Sequence, residues 1–119
     1  MTNQINYFVL PGLHRVEIMG MSMESMMART CQFFEVNIEQ LQSKWRKREV
    51  VEARYFFYYY AKNIESKTLV MLGNATNRDH TTIIHGLRTM ENLFETDRAY
   101  RERWVRFVEF MKPEKLIAA

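Results

Sequence analysis

Six aromatic residues in a row, Tyr55 to Tyr60, sit inside the segment EVVEARYFFYYYAKNIE. Aromatic side chains favour strands, so a strand is the first reading to weigh. Length decides against it, because the segment runs about 15 residues without a breaker and a strand is usually about 5 or 6 residues long. A largely buried helix is expected instead. The rest of the chain agrees, since four glycines and two prolines stand against nine methionines, eight phenylalanines and six tyrosines. Few turn-formers and many long apolar side chains favour a helical protein. At 119 residues, 47% hydrophobic and 26% charged, the chain is sized for one folded domain with a modest core, and a second catalytic domain has no room.

Local patterns place the other elements. Residues 1–21 show no sustained period; Tyr7 to Leu10 can be a short extended piece and Pro11 with Gly12 a turn, so this part reads as an arm or irregular cap. From Ser22 onward Met23, Met26, Met27, Thr30, Cys31 and Phe34 fall at helical spacing. Asn37 can cap a short helix through Leu41, with Gln40 at the capping-box position. Thr68 can cap another, Leu69 to Leu72, stopped at Gly73, after which GNATN reads as a tight connection. In RDHTTIIHGLRTMENLFE the apolar Ile83, Ile84, Leu87, Met90 and Phe94 share one helix face, while Thr81, Thr82, His85, Arg88 and Thr89 lie largely off it. A last helix, about Asp97 to Met111, buries Tyr100, Trp104, Phe107, Val108 and Met111, leaves its arginines outside and ends at Pro113. The expected fold is all-α, a compact bundle of five or six helices over residues 22–113, followed by a tail at 114–119.

The net charge of +3 does not by itself announce a nucleic-acid partner, so clustering matters. Lys44, Arg46, Lys47 and Arg48 fall within five residues, and Arg98, Arg101, Arg103 and Arg106 recur near the end. Cys31 is the single cysteine, which rules out an internal disulfide and suits a reducing compartment. No apolar run approaches the roughly 20 residues of a membrane span. The amino-terminal stretch lacks a signal-peptide pattern, so a cytoplasmic protein without a membrane partner is expected.

The stretch RDHTTIIHG, residues 78–86, concentrates the polar chemistry. Asp79 beside His80 can form a metal dyad, but ligation needs further ligands to converge and only His14 and His85 remain. On a helix, positions five apart lie about 140° apart around the axis, so His80 and His85 would not share an ion. Cys31 sits on an apolar stripe, where a cysteine is more often core than catalytic. No glycine-rich phosphate loop is present. Neither an enzyme, a metal nor a cofactor is therefore expected. A short helix, a turn, then a helix with a polar first turn and an apolar later face is instead the layout of a helix-turn-helix, whose second helix enters the DNA major groove. The residue types fit, because Asp79 can accept from cytosine, His80 can bond a purine edge, and Thr81 and Thr82 can bond bases or pack on a thymine methyl. His85 and Arg88 lie further along. The bland alternative is that Asp79 only caps the helix and the threonines face water.

From about Met26 to Lys112 the chain resembles the C-terminal DNA-binding domain of DnaA, the bacterial replication initiator, a helix-turn-helix of Trp-repressor-like fold. RDHTT is the core of that family's signature, and SKWRKREVVEAR, LVMLGNA and IIHGLRTMENL follow the family order with nearly the same spacing. The resemblance implies double-stranded DNA as partner, with Asp79, His80, Thr81, Thr82 and His85 on the major groove and Arg46 in the minor groove. It implies backbone contacts from Lys44, Lys47, Arg48, Arg54, Lys67 and Arg78, with Arg54 equally suited to bracing the fold. Ala75, Thr76 and Asn77 replace a phenylalanine and two glycines before the signature, one residue fewer. Trp45 stands where a basic residue is common, Tyr55 where a glutamine often helps contact DNA, and Gly86 where alanine is frequent. DnaA also carries an ATPase domain upstream, and nothing in these residues can bind nucleotide in that way. The expectation is a stand-alone, sequence-specific DNA-binding regulator of replication or transcription, of a phage, plasmid or other mobile element or competing at DnaA-box-like sites. The rival is a protein-interaction module with Met-rich and aromatic surfaces, a decayed signature and a partner still unknown.

Overall fold

A computed structural model describes residues 6–8, 16–18 and 20–112. Its elements are two short strands, β1 (Asn6–Phe8) and β2 (Val16–Ile18), followed by six helices. The strands pair antiparallel with Tyr7 opposite Glu17. Tyr7 and Phe8 thus belong to the extended piece expected there, while β2 is too short for a period to reveal it. Pro11 and Gly12, Pro113 and the 114–119 tail lie outside the described residues. Beyond this ladder the fold is all-α.

The helices begin where side chains can satisfy their free amide groups. Ser22 caps α1 (Met23–Phe34) by accepting from the Ser25 N–H, and Met26, Met27, Thr30, Cys31 and Phe34 are its buried residues, on the stripe expected. Asn37 and Gln40 form a reciprocal capping box that starts α2 (Ile38–Gln42), with amide-to-side-chain distances of 2.7 and 2.9 Å. The aromatic segment forms α3 (Arg48–Asn63), which contacts α1, α2, α4 and α5. Consecutive rings point around the whole helix, so α3 is buried on most sides and becomes the central element. Phe56, Phe57 and Tyr58 are fully buried. Each such side chain contributes about 1.5 to 3 kcal/mol by leaving water. Edge-to-face rings then join α3 to its neighbours: Phe56 meets Phe34 of α1 at 4.9 Å, and Tyr59 meets Phe94 of α5 (His80–Thr96) at 5.0 Å. Phe56 also meets Phe107 of α6 (Arg98–Met111) at 5.3 Å.

Two expectations need correction. The helix α4 (Leu69–Thr76), capped by Thr68, runs through Gly73 rather than stopping there. The left-handed turn is taken by Asn77 at φ 58°, and the connection to α5 is only Asn77, Arg78 and Asp79. Gly73 serves close packing instead, since a Cβ there would lie 2.6 Å from the Arg78 carbonyl oxygen. Its own carbonyl accepts from the Asn77 and Arg78 N–H groups. Gly73→Ala is therefore expected to destabilise by about 1 to 3 kcal/mol in a denaturant melt, although alanine is the better helix former by about 1 kcal/mol. Unchanged stability would show that the corner relaxes freely.

The other correction concerns α6, where Arg103 is not outside. Its guanidinium lies 4.9 Å from the Phe34 ring centroid and donates to Glu52 at 3.0 Å, because Glu52 is a mostly buried carboxylate that needs a partner. Tyr100 also donates to Glu52. Among the described residues the methionines are mostly core, with Met21, Met26, Met27, Met90 and Met111 buried and Met71 exposed. No helix of the described residues is long and apolar enough to cross a membrane.

Candidate nucleic-acid interface

The site is the corner where α4 meets α5. Asp79 caps α5 by accepting the Thr82 N–H at 3.0 Å, and hydrogen bonding from Thr82 holds its carboxyl below the usual range. The cap is thus ionised at neutral pH, and one of its oxygens is committed to the helix. His80 and Thr81 are exposed, Thr82 is half-buried and His85 is exposed one turn on. His85 stands edge-on to Tyr55 at 6.3 Å. Ile83 and Met90 are buried, so the apolar face anchors α5 while its amino end projects outward.

A close crossing with α3 seats this helix. Gly86 is buried there, and a Cβ would come within 2.8 Å of Tyr55 and 3.3 Å of Tyr58. Below the corner, the Thr76 hydroxyl donates to the Leu72 carbonyl and lies 2.9 Å from the Tyr58 hydroxyl, which therefore donates to it. Burial pushes the Tyr58 phenol up from its ordinary value, so it stays a donor.

The cationic segment reaches the same place. Lys44 to Lys47 lack regular structure between α2 and α3. Lys44 and Arg46 line one open groove with Tyr55, Asn77, Asp79 and Thr82. Both cations are exposed, as are Lys47 and Arg48. Lys47 lies over the Trp45 ring at 5.5 Å, and Arg48 pairs with Glu52 one turn along α3 at 3.4 Å.

Of the other expected contact residues, Arg54 and Arg78 line the groove but bond inward, and Lys67 lies apart from it. Arg54 is buried, with Nε donating to the Leu41 carbonyl at 2.8 Å and Nη2 to the Gln40 and Ser43 carbonyls, and so braces the end of α2. Burial lowers its pKa, and nearby Arg78 adds to that effect. Arg78 is half-buried and its Nη2 also donates to the Ser43 carbonyl. Lys67, before α4, lines neither this groove nor the adjoining notch.

That notch holds residues the sequence reading passed over. Val70 and Asn74, one turn apart on α4, share it with His80 and Thr81. Their spacing of four was a usable signal, because it puts both on the same side of a helix now known to run past Gly73. Tyr55 joins the groove as well. Among the described residues, no three of His, Cys, Asp and Glu converge as metal ligands. Burial pushes the Cys31 thiol up to about 11, which leaves it protonated and unreactive at neutral pH.

Comparison with known proteins bears on this geometry. The family described as bacterial dnaA protein helix-turn-helix matches residues 23–90, more than half of the chain and the stretch from α1 into α5. The chromosomal replication initiator protein DnaA of Flavobacterium psychrophilum is 38% identical over 71 residues, 59% of this chain and 15% of that protein. The protein of the same name from Wolbachia pipientis is 29% identical over 94 residues, 78% of this chain and 20% of the relative. For Porphyromonas gingivalis the figures are 31% over 88 residues, 73% and 19%. The chain thus spans 15 to 20% of the length of these relatives. An exposed polar amino end on a short-turn helix pair, within the matched residues, completes the assignment: the chain belongs to the bacterial DnaA helix-turn-helix family, a DNA-binding module.

Proposed function

We propose that residues 22–113 bind double-stranded DNA sequence-specifically, at a site like a DnaA box, in a replication- or transcription-related role that needs no bound nucleotide. One observation carries the reading: the outward amino end of α5 and the cations Lys44 and Arg46 border a single groove. In this reading α5 enters the major groove. Asp79 accepts a cytosine amino proton with the oxygen left over from capping, His80 bonds a purine edge, and Thr81 and Thr82 contact bases or thymine methyls. His85 reaches the flank of the same groove. Arg46 enters the adjacent minor groove, where A·T pairs offer only acceptors, while Lys44, Lys47 and Arg48 neutralise phosphates. The rival interaction module has less support, because the methionines it relies on are mostly in the core.

The test is fluorescence anisotropy with a DnaA-box duplex and a scrambled duplex of equal length. His80→Ala is expected to cost about 1 to 3 kcal/mol on the box and little on the scrambled DNA. Equal losses on both would mean that α5 does not read bases. Wild-type protein that treats the two duplexes alike would overturn sequence-specific binding altogether.

A further inference from the structure

Two parts of the proposed interface that are far apart in sequence are joined by side chains. Gln42 Nε2 donates to the Ala75 carbonyl at 2.9 Å, Asn77 Nδ2 reaches the Gln42 carbonyl at 3.5 Å, and Arg78 Nη2 donates to the Ser43 carbonyl. These bonds link the α2–α3 junction to the α4–α5 corner. Ser43 is the last residue before the cationic segment; its hydroxyl donates to the Gln40 carbonyl and accepts the Trp45 N–H. Arg78 is the last residue before the cap of α5. The start of one reading element is therefore bonded to the start of the other.

Arg78 lines the groove, but two of its three guanidinium nitrogens are turned into the protein. Nη2 is committed to Ser43, and Nη1 is buried, the one buried side-chain nitrogen or oxygen among the described residues without a hydrogen-bond partner. Arg54 holds the same Ser43 carbonyl from beneath, so two cations converge on one acceptor. Such an arrangement is electrostatically unfavourable, and it leaves the carbonyl firmly fixed.

We propose that Arg78, with Gln42, is a positioning clasp that fixes the separation of the cationic segment from α5, so that both grooves of one duplex are engaged together. The inference rests on the DNA-binding reading above. When two contacts are rigidly joined, making the first places the second at high effective concentration. Loosening the joint loses that advantage only on DNA where both contacts are productive. Random duplex, held by phosphates alone, is little affected. A phosphate-gripping arginine would behave differently, weakening all sequences alike and reducing the salt slope by about 1.

The experiment measures Arg78→Gln and Gln42→Ala by anisotropy on box and scrambled duplexes across a salt series, with circular dichroism melts to confirm folding. Both variants are expected to lose about 10-fold on the box and less than about 2-fold on scrambled DNA, with the wild-type salt slope retained. Combined with Arg46→Ala, either is expected to add little further loss, because no minor-groove contact remains to be aligned with α5. Equal losses on the two duplexes with a shallower slope for Arg78→Gln would assign a direct phosphate contact and overturn the clasp. Wild-type behaviour of Gln42→Ala would also overturn it, and this variant decides the matter alone if Arg78→Gln fails to fold. A wild-type protein without box preference is seen before any variant is compared, and removes both readings together.

Discussion

Arg54→Met is expected to lower the unfolding free energy by about 2 to 4 kcal/mol, a large part of the stability of a domain this size. Methionine fills a similar volume but offers no donor. The Leu41 carbonyl would then be left without its donor where α2 ends, and the Gln40 and Ser43 carbonyls would each lose one, keeping Ser43 and Arg78 respectively. Helix ends leave their last carbonyls without intrahelical partners, and each one stranded away from water costs about 1 to 3 kcal/mol. Removing a buried charge returns part of that cost. Arg54→Lys is expected to recover less than half of the loss, since one ammonium cannot reproduce a planar fork serving three acceptors. Guanidinium chloride melts followed by circular dichroism measure both variants. A loss below about 1 kcal/mol would show that water or Arg78 replaces the missing donor.

Binding to the box duplex is expected to fall roughly 500-fold between about 50 and about 500 mM monovalent salt. The figure follows from three phosphate contacts, by Lys44, Lys47 and Arg48, each releasing about 0.9 counterion. All three side chains are exposed, and Arg48 shares Glu52 with Arg103 and Tyr100, so its pairing is weak competition for a phosphate. A double-logarithmic plot of the anisotropy-derived affinity against salt gives the slope, expected near about −2.7. Removing Lys44 should raise it toward about −1.8. A slope near zero would show that the cationic segment does not face DNA.

What could be read from the sequence was local. Asn37 with Gln40, and Thr68, cap helices as expected, because a cap depends on residues three positions away. The buried face of α5 followed from spacing alone. Contacts between distant segments were hidden. Gly73 looks like a helix stop until the Arg78 carbonyl is seen against it, and Arg103 looks like a surface charge until α3 presents Glu52. Part of the interface shows the same limit. His80, Thr82 and Arg46 were named from residue type and resemblance, whereas Val70 and Asn74 became neighbours of His80 only once α4 extended past Gly73. The bonds of Arg54 to Gln40, Leu41 and Ser43 could not be read either, because they form only in the folded chain.

The lattice of rings under α5 carries a mechanical consequence. Phe94 is wedged against Tyr59 and Trp104, and Trp104 against Phe107, at centroid distances between 5.0 and 5.5 Å. Close-packed interiors of this kind do not yield gradually. In the proposed complex, misfit between α5 and straight B-form DNA would then fall on the duplex, as bend, twist or altered groove width. Base pairs that no side chain touches would then influence affinity through their stiffness.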